Sequence, residues 1–266
     1  MFSSFAILRG IALGLALTLL VCALPALLAA APIAKVQRIV TPAGIEIWYV
    51  QEPNIPVISL SLGFRGGTAL DPPGKSGLAN FALGLLDEGA GELDALAFQK
   101  AIINRSIRLN SNASRDLVSV SLQTLTRNRN EAFRLLGLAL SDARFEAEPV
   151  ERVRRQILNI LADEEHDPNT IAARNWFDDV FQDHPYAQRA NGTEEAIRAI
   201  TPIYLKEWAR GRFARDNLIV GASGDVSPDE IARLVDIALA SLPAEAYAAS
   251  VPEAEFPSTG AIQVIR

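Results

Sequence analysis

Metal and nucleophilic centres are assembled from histidine, cysteine and clustered carboxylates. This chain holds only two histidines and one cysteine among its 266 residues. His166 stands in the run "ADEEHD", beside Asp163, Glu164 and Glu165. One imidazole among carboxylates suggests a metal ligand set, but a solvated acidic helix end accounts for the same run without a metal. His184 lies in the loop "HPYAQ", where a structural role is expected. Neither histidine has an acidic partner at a spacing that suggests a Ser-His-Asp centre. The single cysteine, Cys22, excludes an internal disulfide and a cysteine zinc site. "GFRGG" and "GAGE" are glycine-rich but lack the strand, loop and lysine order of a phosphate cradle. Trp48, Trp176 and Trp208 each fall in an amphipathic element and are expected to pack rather than to stack on a ligand.

The elements that must position these residues can be read from periodicity. "GLANFALGLLDEGA" predicts a helix over 78–86 with Leu78, Phe81, Ala82, Leu85 and Leu86 on its core face. Its first two turns carry no good metal ligand. Before it, "VQRIV", the turn "TPAG" and "IEIWYV" predict a hairpin, "VISLSLGF" continues the sheet, and "FRGGTALDPPGKSG" is a Gly/Pro loop. After it come a helix at about 94–104 and the antiparallel pair "IRLNSN" and "DLVSVSLQTL". Helices are expected at "NEAFRLLGLALSD", "PVERVRRQILNILADEE" and "TIAARNWFDDVF", and two shorter ones before the strand "NLIVGAS". Ser227 and Glu230, with Pro228 at the first helical position, predict a capping box opening "PDEIARLVDIALASL". Strands grouped as hairpins and helices in runs predict an α+β fold: a mostly antiparallel sheet covered by helices.

Composition limits the function. A net charge of −6 with no basic stripe gives a nucleic-acid role no support. Residues 1–34 carry one basic residue, Arg9, before a long apolar run, then Pro25 and the small exit Ala29–Ala31, which favours a cleaved secretory signal over an uncleaved anchor. Residues 35–243 are expected to form the working domain, in a bacterial periplasm or secreted, or facing the periplasm from an anchor. Residues 244–266 turn Ala/Pro/Glu-rich and then begin a strand, "AIQVIR", as a linker leading to a second domain would.

From about Val36 to Pro243 the order of elements and several phrases resemble the pitrilysin/insulinase family of zinc metallopeptidases, the inverzincins. "GFRGGTALDPPGKSGLANFALG" resembles that family's approach to H-x-x-E-H, "LNSNASRDLVSVSL" its edge strand and partner, "HPYAQRANGTEEAI" its later loop, and "DNLIVGASGD" its closing strand. The resemblance implies a metallopeptidase-like half-shell. It puts the two motif histidines on Asn80 and Gly84 and the glutamate on Leu83. An amide, a missing side chain and an alkyl group can neither hold zinc nor take a proton from its water. The third ligand is expected among Asp163, Glu164 and Glu165, which could not hold a catalytic metal without the histidine pair. No catalytic residue and no metal are therefore assigned, and zinc is expected only in an active partner. The implied role is a catalytically inactive subunit or domain that completes the chamber for a homologous subunit with intact H-x-x-E-H. Unfolded peptides would lie along Asn110, Ser111, Asn112 and Ala113, and a membrane would be met only through an uncleaved leader. A peptide-binding or scaffold protein without a protease partner is the alternative, and a peptidase with an unrecognised metal site a third reading.

Overall fold

The computed structural model describes residues 35–247, 249–256, 260 and 262; the leader and nearly all of "AIQVIR" lie outside the described residues. The predicted strands form β1 (Gln37–Val40), β2 (Glu46–Gln51), β3 (Val57–Arg65), β4 (Arg108–Ala113), β5 (Leu117–Leu125) and β6 (Leu218–Gly224). They make one six-stranded sheet in the order β1-β2-β6-β3-β5-β4. Only β2 and β6 run parallel; the other neighbours are antiparallel. The α+β expectation is met.

Alternation decides which face is covered. Ile47 and Tyr49, Ile58 to Phe64 at every second position, Val118, Val120 and Leu122, and Val220 point one way and are buried. The Tyr49 hydroxyl, buried with them, donates to the carbonyls of Gly224 and Val226 at 2.8 and 2.7 Å. The opposite face carries Ser59, Ser61, Ser119, Ser121, Gly221 and Ser223, with Trp48 and Ile219 about half exposed at 54% and 47%. It is a shallow groove rather than a second core.

The helices are α1 (Leu78–Leu83), α2 (Ala95–Ile103), α3 (Arg129–Ser141), α4 (Ala147–Glu164), α5 (Pro168–Phe181), α6 (Glu194–Ala199), α7 (Pro202–Arg212) and α8 (Pro228–Leu239). α3 and α8 pack closely at Gly137, where a Cβ would lie 3.0 Å from the Ala238 carbonyl oxygen. None of the described helices is long and apolar enough to cross a membrane.

Three local expectations need correction. The helix predicted over 78–86 stops at Leu83: beyond Gly84 the bonds tighten to Leu85 N–H on Ala82 and Leu86 N–H on Leu83, although Leu85 and Leu86 still reach the core. Half of the capping box forms. Ser227 Oγ accepts from the Glu230 amide at 3.2 Å, but the Glu230 carboxylate pairs with Arg129 on α3 instead of returning to the cap. Of the three tryptophans only Trp208 is buried; Trp48 and Trp176 are more than half exposed, although Trp176 still packs edge-on against Phe177 and Phe181. An amphipathic element has a wet face, and these two indoles sit on it.

Past α8 the described tail stays against the domain. Pro243 and Ala244 carbonyls accept from the amides of Arg215 and Asp216, and the Tyr247 amide donates to Gly211 O at 3.0 Å. Gly211 has no side chain because the Tyr247 ring fills that space.

Candidate functional site

Two loops build the surroundings of α1, and both are glycine-gated. Gly77 (φ +86°) and Gly192 (φ +87°) occupy left-handed backbone that L side chains rarely adopt. A Cβ on Gly192 would lie 2.4 Å from Ser76 O, and one on Gly77 2.7 Å from Asn191 O. The "DPPGKSG" and "QRANGT" phrases therefore meet backbone to backbone.

Gly77 offers no capping side chain for α1. Asp71, buried in the preceding loop, replaces one: its Oδ2 accepts from Gly77 N–H at 2.9 Å and its Oδ1 from Ala79 N–H at 3.1 Å. Burial pushes the Asp71 carboxyl up to about 7, against those hydrogen bonds and the neighbouring Arg212 guanidinium. The sequence reading had no signal for this cap, since the carboxylate lies outside the helix and the usual N-cap position.

Asn80, Leu83 and Gly84 then follow on the helix. The Asn80 amide donates to Ala190 O at 2.9 Å and to Asn191 Oδ1 at 3.1 Å. Leu83 is buried, and its carbonyl accepts from the Ser111 hydroxyl at 3.1 Å. Gly84 is exposed, and a Cβ there would touch Val153 at 3.4 Å, an ordinary contact. The Asn80 network continues: Asn191 Nδ2 donates to Glu164 Oε1 at 2.5 Å, and Arg174 faces Glu164 Oε2 at 3.5 Å and Glu165 Oε1 at 2.7 Å. Glu164 is thus tied down and half buried, a correction to the reading of the whole acidic run as a solvated helix end; Asp163, Glu165 and His166 are exposed as expected. Its partner Asn191 arrives from a loop far along the chain.

This donor set does not fit zinc. One amide already spent on two acceptors, one alkyl side chain and one glycine replace the nitrogen pair and the base. No group of three or more His, Cys, Asp or Glu side chains suited to a metal occurs among the described residues. His184 caps the short turn Pro185–Ala187 through Nδ1, which accepts from Tyr186 N–H at 3.1 Å, while Nε2 lies 3.0 Å from Pro252 O.

Asn110, Ser111, Asn112 and Ala113 lie on β4, an outer strand of the sheet. The hairpin turn sets the hydrogen-bond phase. Ser114 N–H donates to Leu117 O at 2.8 Å, so the pairs two and four residues further on, Asn112/Ser119 and Asn110/Ser121, are the bonded ones. The backbone groups of Leu109, Ser111 and Ala113 consequently point away from β5. The Ser111 hydroxyl, in contrast, is committed to the end of α1.

The model of the insulinase family, peptidase family M16, matches residues 46–194. The chain belongs to peptidase family M16. Among curated M16 relatives, the Helicobacter pylori non-peptidase homolog YmxG is 29% identical over 201 residues, 76% of this chain and 46% of that protein. The fold matches the peptidase M16 inactive domain from Pseudomonas fluorescens with a TM-score of 0.78 at 23% identity, over 83% of this chain and 54% of that one. It also matches the periplasmic protease PqqL from Escherichia coli, with a TM-score of 0.70 at 16% identity, over 84% of this chain and 26% of that one. The chain spans about half the length, or less, of the curated relatives it matches.

Proposed function

We propose that this chain is a non-proteolytic M16 domain that completes a peptide chamber for a homologous, zinc-carrying domain or subunit outside the cytoplasm. The observation that carries this reading is the end of α1. Its motif positions hold an amide bonded to Ala190 and Asn191, a buried leucine and a bare glycine. The relative named as a non-peptidase homolog supports the loss of chemistry. The half-exposed Trp48 and Ile219 on the uncovered sheet face support a homologous partner. The outward backbone groups of β4 support a retained peptide role, because an extended peptide can pair with them without any catalytic residue. The apolar leader supports export, in keeping with the periplasmic protease whose fold is similar.

Elemental analysis and peptidase assays of the purified protein test the central claim. No stoichiometric zinc and no peptide hydrolysis are expected. One tightly bound zinc per chain would overturn it. Restoring Asn80→His, Leu83→Glu and Gly84→His together is not expected to restore turnover, since Asn191, Glu164 and Arg174 now form a closed network around position 80.

A further inference from the structure

A cavity of about 220 Å³ opens beside Asn191, with Arg115, Arg174, Arg189, Thr170, Phe177 and Glu164 in its lining. Three guanidinium groups and one carboxylate line it, and Glu165, outside the lining, pairs with Arg174 and approaches Arg189, which leaves Arg115 as the arginine without a carboxylate partner. The arginines are not equally engaged. Arg174 is largely buried and held by Glu164 and Glu165. Arg115, in the turn that follows β4, lies with its guanidinium over the Phe177 ring, 3.4 Å from the centroid, and donates Nε–H to Tyr186 O at 3.0 Å. Those two contacts fix the plane of the fork. Among the described residues its Nη groups have no hydrogen-bond partner, and the Arg189 guanidinium has none, only a 3.9 Å approach to Glu165. The carboxylate nearest Arg115 in sequence, Asp116, already accepts from the Tyr186 hydroxyl at 2.6 Å.

Guanidinium does not shed its proton in a protein, and the free Nη groups of Arg115 are open to solvent, so a bound acceptor would replace water there and gain charge-assisted bonds. Planar forked donors match a carboxylate, and the cavity has room for about one residue-sized group. A metal cation, by contrast, would meet guanidinium groups and one carboxylate already bonded to Asn191 and facing Arg174. We infer that this cavity binds the carboxylate of a peptide, with Arg115 and Arg189 donating to it and Arg174 held in place by Glu164 and Glu165. An anion is thus captured beside the network that joins Asn80, Asn191 and Glu164. That the ligand is a peptide rests on the reading above; the carboxylate site does not.

Three small probes separate the possibilities on the full chain, followed through the arginine Nε–H signals. N-acetylglycine carries a terminal carboxylate, the α-amide of N-acetylaspartate carries only a side-chain carboxylate, and N-acetylglycinamide carries none. One or both carboxylates should shift the Arg115 signal, with affinity falling as salt rises, and the neutral amide should not. Arg189→Gln or Arg115→Gln should weaken binding about tenfold. Arg189→Gln is the safer variant, because this exposed side chain makes no hydrogen bond within the fold, and a thermal melt confirms that each variant is folded. Response to the terminal carboxylate alone identifies the chain end as the ligand group, and response to the side chain alone identifies acidic residues. Equal binding of the neutral amide, or unchanged affinity in both folded variants, overturns the site. Failure of peptides to pair along β4 would leave N-acetylglycine binding intact, so the two failures are distinguishable.

Discussion

At the end of α1 the polar groups close on one another. Asn80 is bonded to Ala190 and Asn191, Asn191 to Glu164, and Leu83 O to Ser111. Along the adjacent β4, the backbone of Leu109, Ser111 and Ala113 faces outward with no strand beyond it among the described residues. The two regions pack together and are joined by a hydrogen bond from the Ser111 hydroxyl, yet one has spent its hydrogen-bonding capacity and the other has kept it. Losing a metal site leaves side chains that must find other partners, because a buried unpaired polar group costs about 1–3 kcal/mol. An edge strand faces no such demand, since water satisfies it. The motif positions of α1 can therefore close on other partners while the edge strand beside them stays open.

The largest break in this comparison is expected at Gly192. Alanine there would meet Ser76 O at 2.4 Å while holding φ +87°, so both loops must move and Asn191 with them. Gly192→Ala should destabilise the protein by about 3 kcal/mol. Gly84→Ala, on the same site but exposed and with its nearest neighbour at 3.4 Å, should be close to neutral. Paired urea melts check both. A Gly192→Ala cost below about 1 kcal/mol would mean that the two loops do not depend on each other.

The second effect is directional. Asn112→Pro removes a donor that faces β5, whereas Ala113→Pro removes one that faces outward. The first should cost about 1–2 kcal/mol more stability than the second. If peptides pair with β4, only the second should abolish peptide-induced amide shifts at 109–114 while leaving the ladder to β5 intact. The reverse ranking would show that the hydrogen-bond phase deduced from the turn is wrong.

What was legible in the sequence divides along the same line. Strand alternation and helix periodicity placed the sheet, β4 and the core face of α1, because each is written in residues a few positions apart. Leu85 and Leu86 were correctly put in the core although the helix ends before them. Asn80, Leu83 and Gly84 were legible as residue types, an amide, an alkyl group and a glycine. What they do was not. The Asn80 contacts lie 110 and 111 residues away, the Asn191 to Glu164 bond spans 27, and no local pattern encodes them. The exposure of Trp48 and Trp176 was missed for a related reason: periodicity shows that an element has two faces, but only the assembled sheet and helices show which is left uncovered.

The smallest effect, and the most specific, is the pH dependence set by Asp71. Burial favours its protonated form in the fold, with the carboxyl raised from an ordinary 3.8 to about 7. A folded pKa above the unfolded one contributes stability that is complete below about pH 4 and is lost as pH rises through about 7. Burial raises the carboxyl of Asp87 as well, so it adds to the same slope. Glu131, Asp167 and Glu165 act in the opposite sense, held low by Arg134, Thr170 and Arg174 respectively, but their contributions are lost only as pH falls below the ordinary carboxylate range. Between about pH 4.5 and 7 the melting temperature should therefore decline, and Asp71→Asn should flatten that decline. Asparagine has one acceptor oxygen for the two amides of Gly77 and Ala79, so the variant should also be less stable at acid pH. The slope, not the level, is the diagnostic quantity. An unchanged slope in Asp71→Asn, with Asp87→Asn removing it entirely, would show that Asp71 stays ionised and caps α1 as an ordinary carboxylate.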